Sequence, residues 1–496
     1  MKLKGAKSGA ITYYILVVVN ALYGLLIAPY LLEMVGKSEY GVYKTISSLT
    51  ASIIILDLGI GSTMQRYIAR FLAEGKRKDC SNFTAMGLIQ AAVLSLVIAA
   101  CCIGKFFSLD HIYDKFTASE LLSAKYVFAL SVLYVVVHVF ENVINGVICG
   151  FNKFAFANSA KLIMLILRVV LYFVVLPLWP NATAIILGTV LMEIGILVIE
   201  VFYLAFVLKV KIKLEKFDFH LFADSMKYTS MMLVQSIAAQ VNSNLDNVFV
   251  GSILGTAAVS VYSFGLALFN MFQPLSTSIS SVMLPTVTNE IVAGADNRRL
   301  EDLVIKVGRI QFLLLASAYF GFVVIGKEFV QLYLGSDYLD VWVITLILMS
   351  PSVIELSQNV CLSILRARNQ LGFRSIALIT GVVMNVLITF FGTPLYGYYA
   401  AAVGTAISTF VSGVLMMNFY YYKVLKLNVF RILGKLIFPV LPGILLAAAA
   451  LVGVSQLLPG GSWLWFAVKI LVFFVILLLY LLLLKLWSRK RVQAKE

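Results

Sequence analysis

Charge is what this sequence has least of. Asp, Glu, Lys and Arg make up 13% of its 496 residues, and histidine occurs only three times. The cysteines, Cys80, Cys101, Cys102, Cys149 and Cys361, are odd in number and scattered, and no C-x-x-C pair or histidine cluster has metal-ligand spacing. That pattern excludes a disulfide framework and reads as inert thiols. Nucleophile elbows and phosphate-binding glycine loops are missing too, so neither a metal nor a cofactor is expected and covalent catalysis has no evident seat. Long hydrophilic stretches are absent, which leaves no room for a sizeable soluble domain.

Hydrophobic residues fill the space, at 61% of the chain and a mean hydropathy of +0.96, far above the roughly 45–50% of soluble domains. A membrane-spanning helix takes about 20 mainly apolar residues. About fourteen such runs are readable: 9–32, 40–64, 82–104, 123–149, 155–177, 183–208, 222–251, 256–287, 303–325, 338–365, 371–392, 396–422, 434–456 and 463–486. They lack the alternation of barrel strands, and backbone groups in lipid must bond within their own helix, so an all-α integral membrane protein is predicted. The N-terminal run is longer than a signal h-region and reads as the first span.

The formal charge of +15 could suggest nucleic acid, but its placement argues against that. With an inside N-terminus, the inward connections and tail hold 29 of the 39 Lys and Arg residues, while the outward ones hold five, Lys37, Lys105, Lys115, Lys125 and Lys327. This bias is the signature of membrane insertion, and it puts both termini in the cytoplasm.

An internal repeat is visible. "VGKSEYGVY" from Val35 matches "LGTAAVSVY" from Leu254 at an offset of 219, and "GFNKF" from Gly150 matches "ARNQL" from Ala367 at 217. Six spans separate the copies, so both run the same way, a parallel repeat. The predicted organisation is a six-helix lobe over 1–216, a second over 217–426, and two extra helices with a basic tail over 427–496.

The stretch "NALYGLLIAPYLLEMVGKSEYGVYKTISSL", followed by "LDLGIG" with "RYIA" and then by "GFNKF", resembles the Wzx-type polysaccharide flippases of the multidrug/oligosaccharidyl-lipid/polysaccharide exporter superfamily. Detailed similarity runs from the N-terminus to just past "GFNKF". The resemblance implies a monomeric, multi-pass carrier in the bacterial cytoplasmic membrane. It would move an undecaprenyl-pyrophosphate-linked oligosaccharide by alternating access for O-antigen, capsule or exopolysaccharide assembly, with a proton or sodium gradient as the coupling source. A cavity lined by the first two helices of each lobe is also implied. A multidrug cation antiporter of the same superfamily is the nearest rival. A membrane glycan polymerase or ligase would need a larger outer loop than this chain offers.

Ionisable residues inside spans are the functional candidates. Lys161 and Arg168 on the fifth span, and Glu193 and Glu200 on the sixth, are each seven apart, two turns along one face. Counting depth from the connecting loop sets Arg168 level with Glu193 and Lys161 level with Glu200, which predicts a double salt bridge. Glu141 competes for Lys161, and His138 one turn away makes Glu141 and His138 candidates for ion coupling. Lys44, Lys227 and Arg168 are candidate cations for the substrate diphosphate. Complementary charges suggest an inner latch of Asp57 with Lys227 and an outer latch of Lys44 with Asp246, although Asp57 also reads as an interfacial carboxylate bonded to Arg66 or backbone. A polar cavity face is expected from Asn20, Ser236, Gln240, Ser243, Asn244, Asn247, Asn270 and Gln273.

Overall fold

The computed structural model describes residues 2–54, 60–210, 212–214, 218–219, 222–224, 245–277, 279–280, 287, 290–291, 294, 296–368, 370 and 372–493. Every regular element among them is a helix, and twelve helices are long and apolar enough to cross a membrane. The first, α1 (Lys2–Ile54), is broken at Gly36, whose φ of 80° and ψ of 169° are not helical, so it covers the span expected over 9–32 and the first part, to Ile54, of that expected over 40–64. Most of the span expected over 222–251 lies outside the described residues. The described chain divides into two compact units, Met1–Ser260 and Val261–Glu496.

In the first unit α1 is followed by α2 (Ile60–Ala73), α3 (Arg77–Ile112), α4 (Ala118–Gly150), α5 (Phe154–Val175), α6 (Ala182–Phe202) and a short α7 (Leu245–Leu254). The central element is α4, which packs on α1, α2, α3 and α6. Its crossing with α2 depends on missing side chains. A Cβ added to Gly146 would fall 2.3 Å from the Gly61 carbonyl oxygen, and one at Gly150 would fall 2.8 Å from Ile68 Cβ. Lipid tails are as apolar as leucine, so close van der Waals contact through small residues drives this association. Thus Gly61, from the "LDLGIG" motif, is a packing residue.

The "GKSEY" connection has an equally concrete role. Gly36 turns the chain, after which Ser38 Oγ donates to the Glu120 carboxylate. Glu39 accepts from Ser123 Oγ at 2.9 Å and from the Ala182 backbone N–H at 2.9 Å. Glu120 itself closes a capping box with Thr117 at the start of α4 and accepts from Thr256 Oγ1 at 2.7 Å. Helix starts leave N–H groups without partners, and Glu39 of this connection supplies a carboxylate to one at the start of α6, while at α4 the connection bonds the Ser123 hydroxyl and the capping Glu120.

The second unit holds most of α8 (Thr256–Phe272), then α9 (Asn297–Leu334), α10 (Asp340–Ser357), α11 (Asn359–Ala367), α12 (Gly372–Tyr396), α13 (Tyr398–Thr409) with a π-helical continuation Phe410–Met416, and α14 (Met417–Lys423). It ends with α15 (Val429–Ile437), α16 (Leu441–Leu457) and α17 (Trp463–Gln493). The last two pack on each other, where Gly443 gives way to the Tyr480 ring, and both pack on α9. A buried ion pair, Lys469 Nζ to Glu328 at 2.7 Å, ties α17 to α9.

The repeat is written in backbone geometry at the offset of the second motif pair. Phe151 N–H donates to Val147 O at 3.1 Å and Lys153 N–H to Ile148 O at 3.2 Å; at the equivalent positions of the second copy, Arg368 donates to Ile364 O at 2.9 Å and Gln370 to Leu365 O at 2.9 Å. At the far end of each repeat the chain leaves its helix through a lysine with positive φ, 54° at Lys209 and 53° at Lys426. Tyr203 stacks on Phe156 with centroids 3.6 Å apart, and Tyr420 stacks on Phe373 at 4.5 Å. The strings "VLKV" from Val207 and "VLKL" from Val424 mark these ends.

Because the α2–α4 contact tolerates no extra carbon, Gly146→Ala should destabilise the folded protein by about 1–3 kcal/mol through overpacking. Gly104→Ala, where the space is open, should be close to neutral. Thermal unfolding of the two purified variants in detergent checks the contrast.

Candidate functional site within the first unit

Three helices bring the intramembrane charges of the first unit together. On α4, His138, Glu141, Asn142 and Asn145 recur at helical spacing and share one face. Lys161 and Arg168 come from α5 and Glu193 and Glu200 from α6, while α1 contributes Asn20 and Tyr23. Glu141 and Glu200 are fully buried. An isolated carboxylate in such a place is costly unless it is paired and hydrogen-bonded.

The pairing differs from the double salt bridge predicted by depth. Lys161 Nζ reaches Glu141 at 2.9 Å. Glu193 takes His138, Nδ1 to Oε1 at 2.6 Å, and His138 Nδ1 also lies 3.9 Å from Glu141 Oε2. Glu200 accepts from Asn145 Nδ2 at 2.7 Å. Arg168 sits over the Tyr23 ring, 4.6 Å from its centroid. Level residues on neighbouring helices meet only if their helices are also rotated toward each other, and α4 supplies the closer partners. On its other side His138 is held by Asn142, Nδ2 to Nε2 at 3.1 Å, and stacks on Tyr134 at 5.6 Å.

A cavity of about 210 Å³ opens onto this cluster, and Asn20, His138, Lys161, Arg168, Thr189 and Glu193 form its polar lining. Donor atoms of His138, Glu141 and Glu193 all lie within 4.8 Å of one another, a spacing that could hold a cation. Glu141 is paired with the permanent cation Lys161, whereas Glu193 faces His138, which balances it only when protonated.

At the equivalent places in the second unit stand Glu355, Gln358 and Asn359, matching His138, Glu141 and Asn142. Gln358 Nε2 donates to Asn418 Oδ1 at 2.9 Å, and Asn359 Nδ2 to Ser276 Oγ at 3.1 Å. The second copy thus keeps the polar positions, with neutral amide bonds at Gln358 and Asn359 and a carboxylate, Glu355, where the first copy has His138. "ENV" from Glu141 and "QNV" from Gln358 are the sequence signal that links the two sites.

The other candidates are dispersed. Lys44 lies over the rings of Tyr40 and Tyr43, at 5.4 and 5.6 Å, and the expected outer latch of Lys44 with Asp246 is not formed in this structure. Asp246 is buried, and Asn247 donates to Ser48 Oγ at 3.0 Å. That contact extends a tight seam in which Gly41 and Thr45 receive Thr256 and Gly251. Asn20 donates to the Leu16 carbonyl of its own helix at 3.0 Å. Asn270 and Gln273, in the second unit, are exposed. Asp57, Lys227, Ser236, Gln240, Ser243 and Asn244 fall outside the described residues. Sequence reasoning missed Asn145 and Tyr134, although Asn145 shares the spacing of His138 and Glu141 along α4.

Residues 6–289 match the model of a family described as polysaccharide biosynthesis protein. The chain is 23% identical over 211 residues to the probable low-salt glycan biosynthesis flippase Agl15 of Haloferax volcanii, an alignment that spans 42% of this chain and 44% of that protein. It is 24% identical over 327 residues to a putative O-antigen transporter of Salmonella typhi, spanning 64% of this chain and 70% of that one. Among solved structures, the lipid II flippase MurJ in an inward closed conformation superposes with a TM-score of 0.70 at 15% identity, covering 97% of this chain and all of MurJ. That likeness establishes the fold.

Removing one partner of a buried ion pair strands the other, at a cost of about 3–5 kcal/mol. Lys161→Met should therefore lower stability by about that much, and Lys161→Met with Glu141→Gln should restore most of it. Equal melting temperatures for the single and double variants would show that the pair is not the source of the loss.

Proposed function

As a member of the polysaccharide biosynthesis protein family, this multi-pass membrane protein is, we propose, a flippase that carries an undecaprenyl-pyrophosphate-linked oligosaccharide across the bacterial cytoplasmic membrane. The single observation that supports this best is the charged, cavity-facing cluster of α4, α5 and α6 inside an otherwise apolar helical unit. Charged side chains in spans are expensive and mark ion and substrate paths. A flipped headgroup needs a polar path and no covalent step, and its polyprenyl tail stays in lipid.

In this reading the lobes are 1–216 and 217–426, the final pair is 427–496, both termini are cytoplasmic and the carrier works as a monomer. Lys44, Lys227 and Arg168 meet the diphosphate. The amide- and hydroxyl-bearing positions, Asn20, Asn247, Asn270 and Gln273 with Ser236, Gln240, Ser243 and Asn244, serve the sugars. Asp57 and Asp246 close the two mouths. The triad of His138, Glu141 and Glu193 takes up one proton or one sodium ion. A ligand can shift a two-state carrier only by its differential affinity for the states, so the ion drives transport insofar as this triad changes between them.

Depletion of the protein in its host should cause lipid-linked repeat units to accumulate on the inner leaflet, with normal synthesis up to that step. Wild type should clear them, whereas His138→Ala and Glu193→Gln should reduce clearance by at least about fivefold, the lower bound of typical coupling between sites. Unchanged lipid-linked intermediates after depletion, together with altered drug tolerance, would sink the proposal in favour of drug export.

A further inference from the structure

The end of the first unit that carries the connection from Arg70 to Lys78 contains a second cavity, away from the charged cluster. It has a volume of about 360 Å³ and is lined by Arg77 and Lys78 from the start of α3, by Lys209 and Lys213 after α6, and by Cys80 and Phe151 among others. All four cations are exposed. Lys76, just before them, is already engaged, since Glu74 accepts from it at 2.9 Å and from Arg70 at 2.8 Å. These bonds hold the Glu74 carboxyl below the usual carboxylate range. Exposed Asp79 is the acid beside Arg77 and Lys78 in the chain.

Basic residues at the ends of spans are ordinary products of membrane insertion, so charge alone would mean little. The second unit provides the comparison. Lys209 and Lys426 are related by the repeat and share the same left-handed backbone. Equivalent hydrogen bonds close both helix ends, Val210 N–H to Leu204 O at 3.2 Å and Leu427 N–H to Tyr421 O at 3.0 Å.

What surrounds that backbone differs. In the second unit Asn297 fills the corner, donating to Leu425 O at 3.1 Å and Lys426 O at 3.3 Å and accepting from Arg368 at 3.1 Å. Arg431 is answered there by Glu301 and by Asp302. In the first unit the matching positions hold Cys80 for Asn297, Phe151 for Arg368, and Thr84 and Ala85 for Glu301 and Asp302. The Cys80 thiol turns instead toward Ile68 O, at 4.0 Å. One copy is filled and neutralised, and the other is open and cationic.

The helix turns that lead into Lys209 are apolar and exposed. Phe202, Phe206 and Val207 are 58%, 71% and 60% exposed on the last turns leading to Lys209, and the two phenylalanine rings stack at 5.6 Å. A cationic recess beside exposed aromatic surface suits a molecule with an anionic head and hydrocarbon chains. Basic pockets of this kind between spans take acidic lipid headgroups. We propose that this pocket binds the phosphate headgroup of an anionic phospholipid from the leaflet at that end, with Arg77 and Lys209 facing the phosphate and Phe202 and Phe206 against its chains.

The test is native mass spectrometry of the delipidated full-length protein, titrated with phosphatidylglycerol, with phosphatidylcholine, and with phosphatidylglycerol plus millimolar inorganic phosphate. Phosphatidylglycerol should bind in preference to phosphatidylcholine and persist against inorganic phosphate. The double variant Arg77→Gln, Lys209→Gln should weaken it by about 30-fold, at roughly fivefold per basic residue. Lys426→Gln, which removes the same charge from the same backbone geometry in the filled copy, should bind like wild type. Arg77→Lys with Lys209→Arg, keeping the charges, should also retain binding and controls for misfolding of the glutamine variant. Equal binding of the two lipids, an unaffected double variant, or equal loss in Lys426→Gln would overturn the proposal. Complete displacement by inorganic phosphate would assign the pocket to a free anion and overturn the lipid.

Discussion

Burying Glu141 and Glu200 among lipid-spanning helices requires compensation close at hand, and the first unit is arranged to supply it. Lys161 reaches across from α5, Asn145 rises from α4, and His138 holds Glu193 against the same face. Breaking a buried pair costs far more than forming it contributes, so the relative rotation of α4, α5 and α6 is constrained by their polar partners as well as by packing. The glycines at the α2–α4 crossing act in the complementary way, by letting backbones approach where no polar attraction is available.

The duplication gives these observations their meaning. Two copies share the turn after the fourth helix of each lobe, the stacked aromatic pair and the left-handed lysine at the exit. They diverge where chemistry would be expected. The first copy gathers several charges in the middle of its spans and has an open basic recess at one end; the second has the amide Gln358 in place of Glu141, keeps an ionisable group, Glu355, in place of His138, and has an asparagine and acids in place of the recess. A backbone kept in both copies reflects folding requirements.

Hydropathy made the spans legible, since an apolar run of sufficient length has one stable solution in a bilayer. Short motifs made the repeat legible, though "ENV" with "QNV" and "VLKV" with "VLKL" went unread because apolar composition makes such short coincidences common. His138 and Glu141 were legible as neighbours because helical spacing places them one turn apart. Their partners were not. Depth along a helix follows from counting residues, but the direction a side chain faces around the axis depends on how the helix is rotated in its bundle. That is why Arg168 was assigned to Glu193 and instead lies on Tyr23, while His138 from another helix took the carboxylate.

By itself, then, the sequence determined that the chain is a bundle of membrane helices, that it is duplicated, and which ionisable groups it must hide, because all three depend on composition and periodicity along one dimension. Tertiary structure decided which hidden charges meet, that they gather in the first copy on three helices, and that one basic end stays hollow while its counterpart is filled. Those outcomes depend on helix rotation and on gaps between side chains far apart in the chain, quantities fixed only when the helices pack.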